Sequence, residues 1–234
     1  MRAFLLFLLI EATVALSSAQ STLDHVRRAQ DLLGSTTWSR AVVISNSKPG
    51  PIYPARVHAL VFELNHMLWI YLPYEGTQSL STHAGAVEAD QGRLPELLQA
   101  LHSGFTSVAD APAPTVGETP MSGSPRNGCF IESLAAAHLR LARGEPLLKA
   151  GILLFYAQRG ASISGHAVLA YATPAGVFVD DPQRNLFTEI KGVWNDDAMV
   201  LAKSHQPRLK SSLLKARLVP VSTVSSARQV AALR

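Results

Sequence analysis

The chain has 234 residues, 47% of them hydrophobic and 16% charged, with a formal net charge of +4 and a single cysteine. That balance excludes an intrinsically disordered chain, and no apolar run after residue 16 reaches the roughly 20 residues of a membrane-spanning helix. There are no internal repeats, coiled-coil heptads or phosphate-cradling glycine motifs.

Met1-Arg2, the apolar run Ala3 to Ile10 and the small residues Ser17-Ser18-Ala19 predict a signal peptide over 1–19, with Gln20 as the first mature residue. Glu11 interrupts the apolar stretch, and Ala3 to Leu16 is too short for an uncleaved anchor. No cysteine follows closely, so a lipoprotein anchor finds no support. The expected location is secreted or periplasmic. About 215 residues then remain, enough for one large or two small domains.

Residues 20–106 read as an accessory α+β unit. Ser21 to Gly34 is a helix candidate with Leu23, Val26, Ala29 and Leu33 on one side and Gly34 as its stop. Trp38 to Ile44, Arg56 to Phe62 and Met67 to Leu72 have strand composition, with Glu63 to His66 as the turn between the last two. Leu94, Leu97, Leu98 and Leu101 define a short amphipathic helix. His58, His66, His83 and His102 lack the i, i+4 spacing of zinc motifs, so no metal is expected. A propeptide-like cover, a recognition lobe and one wall of a cleft are the candidate roles.

Residues 107–124 read as a linker: Pro112, Pro114 and Pro120 stand among Ala, Ser, Gly and Thr without apolar periodicity. The next domain, 125–222, holds Cys129. Ile131 to Arg143 is rich in Leu and Ala, Gly144 suits the position after a helix end and Pro146 follows, which predicts a helix of roughly 13 to 15 residues starting at or near Cys129. A cysteine in a first helical turn faces unpaired N–H groups and the positive end of the dipole, which favours thiolate, and the same N–H groups can serve an oxyanion. Gly128 suits a sharp turn or a close substrate approach. An unpaired thiol in an exported protein also points to reactivity.

Ala167 to Tyr171 and Val177 to Asp181, joined through Thr173-Pro174-Ala175-Gly176, predict a β-hairpin. A turn centred on Pro174-Ala175 sets Val168 opposite Asp181 and puts His166, Val168 and Asp181 on one face, with Asp180 on the other. Asp181 is then the partner for His166, and a one-residue bulge would substitute Asp180. Trp194 reads as a core or lid aromatic. Leu213 to Val221 suggests one more strand, which Pro220 confines to a sheet edge. The segment from Lys203 to Arg234 carries seven Lys or Arg and no acid. With its basic tail 223–234, it suits an anionic surface, while the lack of interleaved aromatics argues against nucleic acid.

Asn-Gly-Cys-Phe opening a helix, Gly-His-Ala-Val-Leu-Ala-Tyr on a strand and Val-Phe-Val-Asp-Asp-Pro on the next resemble the papain-like cysteine peptidase superfamily. The double-glycine leader peptidases and the transglutaminase-like hydrolases are the two branches that fit. The resemblance covers roughly residues 125 to 220. It implies an α+β papain-like domain, with a Cys-bearing helix on an antiparallel sheet carrying His and Asp. Cys129 would be the nucleophile, His166 the general base and later acid, and Asp181 the orienting carboxylate. The implied activity is cleavage of a peptide or amide bond in a peptide or protein substrate through an acyl-thiol intermediate, without a cofactor. Papain-like enzymes place a Gln before the nucleophile as an oxyanion donor. Met121 to Asn127 contains none, which leaves Asn127 or the Cys129 N–H for that task. The alternatives are an inactive relative that binds peptides, a transglutaminase-like acyl transferase and a structural protein.

Overall fold

The computed structural model describes residues 22–81, 87–113, 123–205 and 212–222. The chain divides into two compact units, Met1–Gly128 and Cys129–Arg234. Each is α+β and is built on a five-stranded antiparallel sheet. The expected signal peptide and basic tail fall outside the described residues.

In the first unit, helix α1 (22–33) buries Leu23, Val26, Ala29 and Leu33 along one stripe, as their helical spacing requires. The sheet runs β4 (Gly76–Ser79), β3 (Met67–Leu72), β2 (Arg56–Leu64), β1 (Ser39–Asn46) and β5 (Phe105–Asp110). Helices α2 (Val87–Gly92) and α3 (Leu94–Leu101) add Val87, Leu94 and Leu98 to a core of Val42, Ile44, Val57, Val61, Leu68 and Ile70.

Two expectations need correction here. The β2–β3 turn is only Asn65-His66, with φ of 54° and 57°, and Glu63 is a strand residue paired with Leu68. A two-residue hairpin turn needs positive φ at both positions, and asparagine tolerates that conformation. The segment expected as a linker begins inside β5, which pairs with β1 at the edge of the sheet. An edge strand with mostly exposed or half-buried side chains offers no apolar alternation to read.

Two histidines of the first unit have side-chain partners. His58 Nδ1 lies 3.0 Å from Thr22 Oγ1, and His102 packs edge-on against Tyr53. His83 lies outside the described residues, among which no three His, Cys, Asp or Glu converge on a common point. No helix among them is long and apolar enough to cross a membrane.

The second unit opens with α4 (Cys129–Ala142), and its sheet runs β10 (Ser212–Pro220), β6 (Lys149–Arg159), β7 (Ser162–Thr173), β8 (Gly176–Asp181) and β9 (Leu186–Ile190). Helix α4 buries Phe130, Ile131, Leu134 and Ala137 and packs on β7. Each large apolar side chain so buried contributes about 1.5–3 kcal/mol. Gly144, at φ 73°, follows the helix end. Helix α5 (Ala198–His205) covers the other face, where Leu201 and Ala202 meet Leu153, Phe155, Val168, Ala170, Val177 and Val179. With both faces covered, β7 is buried continuously from His166 to Ala172.

The β7–β8 hairpin turns through Pro174-Ala175, with Thr173 opposite Gly176. Its last pair is Leu169 with Asp180, so β7 outruns β8. The short 3₁₀ turn Pro182–Arg184 carries the chain away there and packs against α4.

Candidate active site

The backbone entering α4 turns tightly. Asn127 has φ of 51°, and the Gly128 N–H donates to the Pro125 carbonyl at 3.0 Å. A Cβ at Gly128 would fall 2.7 Å from that same carbonyl oxygen, so glycine is required by the close approach of Pro125. The Asn127 side chain donates from Nδ2 to the Pro73 carbonyl at 2.9 Å, and the Tyr71 hydroxyl donates to the Arg126 carbonyl. These bonds tie 125–128 into the first unit, four residues beyond the expected domain start. The bond to Pro73 uses one of the two N–H groups of the Asn127 amide expected to serve an oxyanion. The unpaired N–H groups of the first turn of α4 are the remaining local donors.

Cys129 is the first residue of α4 and is half-buried. His166 lies on β7 opposite Phe155, whose ring meets the imidazole edge-on at 5.8 Å between centroids. His166 Nε2 is 2.7 Å from Asp181 Oδ2. Cys129 is the other group close enough to act on the ring and raise its pKa. With Nε2 held by Asp181, Nδ1 is the nitrogen free to exchange a proton with the thiol.

Asp181 is fully buried, and Oδ1 accepts the Arg184 N–H at 3.2 Å. The Asp-Asp-Pro sequence accounts for this geometry. Pro182 occupies the first position of the 3₁₀ turn, where no N–H is needed, and Asp181 caps the turn from outside. The Arg184 guanidinium stands 3.8 Å from Oδ2.

Asp180 points elsewhere, accepting from Arg140 Nη2 of α4 at 2.8 Å. Arg140 also pairs with Glu145 at 2.8 Å and lies 4.5 Å over the Tyr171 ring. The expected pairing of His166 with Asp181, and not with its reserve Asp180, is therefore the one the geometry provides. Trp194 packs against the α5-side core and donates to Asp196. Sequence reasoning missed Phe155, which walls the imidazole, and Arg184, which supports the carboxylate.

Burial opposes the imidazolium, but the hydrogen bonds and charges of Asp181 and Cys129 outweigh it, and the His166 pKa rises from 6.5 to about 9. A raised histidine pKa stabilises the fold fully below about pH 6.5, and the contribution is lost as pH climbs through about 9. The urea midpoint of the wild-type protein should fall across that window. His166→Ala should remove the fall, and equal slopes for the two proteins would refute the coupling.

No protein-family model, curated protein or solved structure matches the chain.

Proposed function

We propose that the chain is an exported papain-like cysteine hydrolase that cleaves a peptide or amide bond through an acyl-thiol intermediate. The observation that carries this reading is the His166 imidazole held by Asp181 at 2.7 Å, with Cys129 close enough to raise the ring's pKa. Cys129 attacks the carbonyl carbon, and the proton taken by His166 passes to the leaving amine. Water, deprotonated by the same imidazole, then releases the acid and regenerates the thiol. Asp181 keeps the ring in one orientation and stabilises its charged form. First-turn N–H groups of α4 supply the oxyanion donors, and no cofactor enters the cycle.

The decisive experiment is iodoacetamide alkylation of Cys129 in the wild type and in His166→Ala. Enhanced reactivity that depends on His166 supports the hydrolase, and an unreactive thiol sinks it. An inactive papain-like module that binds peptides is the second reading. It is favoured by one observation, the anchoring of the Asn127 amide on Pro73. A transglutaminase-like acyl transferase would show itself by passing the acyl group to an added amine in preference to water.

Export belongs to the same proposal and rests on the sequence of residues 1–19. N-terminal sequencing of the protein recovered outside the cytoplasm should begin at Gln20. Recovery with Met1 intact would contradict it.

A further inference from the structure

Three strands of the second sheet carry an exposed row that ends at Gly165, the chain neighbour of His166, on the face opposite to the His166 side chain. Lys215 of β10 stands opposite Tyr156 of β6, and Tyr156 stands opposite Gly165 of β7. All three are exposed, Tyr156 at 52% although it is a large aromatic. Gly165 immediately precedes His166 and has no side chain to obstruct the row. The Tyr156 ring leans over it, with Cε1 3.1 Å from where a Cβ would be.

Alternation along β7 puts Gly165 on the face that also carries Tyr171, the ring covered by Arg140 of α4. The row therefore lies on the helix α4 side of the sheet, and Cys129 is the first residue of that helix. Arg217, opposite Leu154, is exposed one pleat further along β10. Two strand spacings, about 10 Å, separate Lys215 from Gly165.

The charge along this row has one sign. Strands β6, β7 and β10 contain Lys149, Arg159, Lys215 and Arg217 but no Asp or Glu. The sheet's acids, Asp180, Asp181 and Glu189, are on β8 and β9. Of the four cations, Lys149 lies at the other end of β6 and pairs with Asp196.

We propose that the row Gly165, Tyr156 and Lys215, extended by Arg217, is a docking lane for an extended polypeptide and selects chains carrying acidic residues. The assignment of this polypeptide as substrate rests on the cysteine hydrolase reading. The docking itself does not. Tyr156 offers a flat apolar platform that costs little side-chain entropy, and the cations beyond it supply charge complementarity, which acts mainly on specificity and encounter rate.

The test is fluorescence anisotropy with full-length Cys129→Ala protein, which cannot turn a substrate over. The probes are a fluorescein-labelled peptide of alternating Glu and Ala and its counterpart of alternating Lys and Ala. The acidic peptide should bind about 5-fold tighter or more, and added salt should shrink the difference. Lys215→Glu with Arg217→Glu should abolish or invert the preference, and Tyr156→Ala should weaken binding of both peptides. Lys191→Glu, just past β9 at the opposite edge of the sheet, makes the same kind of charge change and should leave the preference intact.

No preference in the parent protein overturns the proposal, as does a preference that Lys191→Glu reduces as much as Lys215→Glu does. Circular dichroism shows whether each variant is folded, and the single variants Lys215→Gln and Arg217→Gln replace a double variant that is not. A preference that follows Lys215 in a protein whose Cys129 resists alkylation would uphold the lane and reject the hydrolase.

Discussion

Iodoacetamide should alkylate Cys129 at about pH 6 roughly 10-fold faster than an ordinary cysteine, and His166→Ala should remove the excess. An ordinary thiol with pKa near 8.5 is only about 0.3% ionised at that pH. In the folded protein the imidazole beside the sulfur has its pKa raised to about 9, so it carries a positive charge there. A positive charge beside a cysteine favours its nucleophilic form, which is the basis of the expected excess in rate. The sign of the pH dependence follows from the same pair. The imidazolium persists below its raised pKa and is lost as pH rises through about 9, so the wild-type profile should change slope there. His166→Ala should instead show the single ionisation of a simple thiol near pH ~8.5. Identical profiles for the two proteins would exclude a Cys129–His166 pair and with it the proposed chemistry.

The parts of this site legible in the sequence are those fixed by short-range geometry. The apolar run of α4 with Gly144 and Pro146 after it marks the helix, which spans Cys129–Ala142. A hairpin turning at Pro174-Ala175 fixes the parity of two strands, and parity alone separates Asp181 from Asp180. Pro220 confines β10 to an edge, where it lies beside β6.

What the sequence leaves unread depends on distant partners. The segment Ile152 to Tyr156 is a continuous apolar run, compatible with a buried helix or a buried strand, so nothing local assigns β6 or sets Phe155 against His166. Asn127 has the chemistry of an oxyanion donor, but its partner Pro73 is 54 residues away, and no local pattern encodes that bond. The same holds for Asp180, whose partner Arg140 lies 40 residues earlier on α4. Strand β5 hides within a Pro- and Ala-rich stretch because an edge strand with little burial carries little pattern.

Asp181→Ala and Asp180→Ala should differ sharply although the two residues are neighbours. Asp181 is fully buried, and its carboxylate satisfies both the His166 ring and the Arg184 N–H. Its removal leaves a buried imidazole without its counter-charge and a 3₁₀ turn without its cap. The expected loss of stability is about 2–4 kcal/mol. The His166 ring would also lose its fixed orientation, so the alkylation excess at Cys129 should vanish, and turnover of any substrate should fall by about 10³-fold. Asp180→Ala removes a half-buried ion pair from Arg140, which keeps Glu145 and the face of Tyr171. That change should cost about 1 kcal/mol and leave Cys129 as reactive as before. Urea denaturation and iodoacetamide kinetics on the two variants measure both quantities. Loss of thiol reactivity in Asp180→Ala, with Asp181→Ala unaffected, would transfer the orienting role to Asp180. Equal and purely structural losses in both would reduce the His166–Asp181 bond to a packing contact, because a carboxylate that tunes the imidazole must register at the sulfur on the ring's other side.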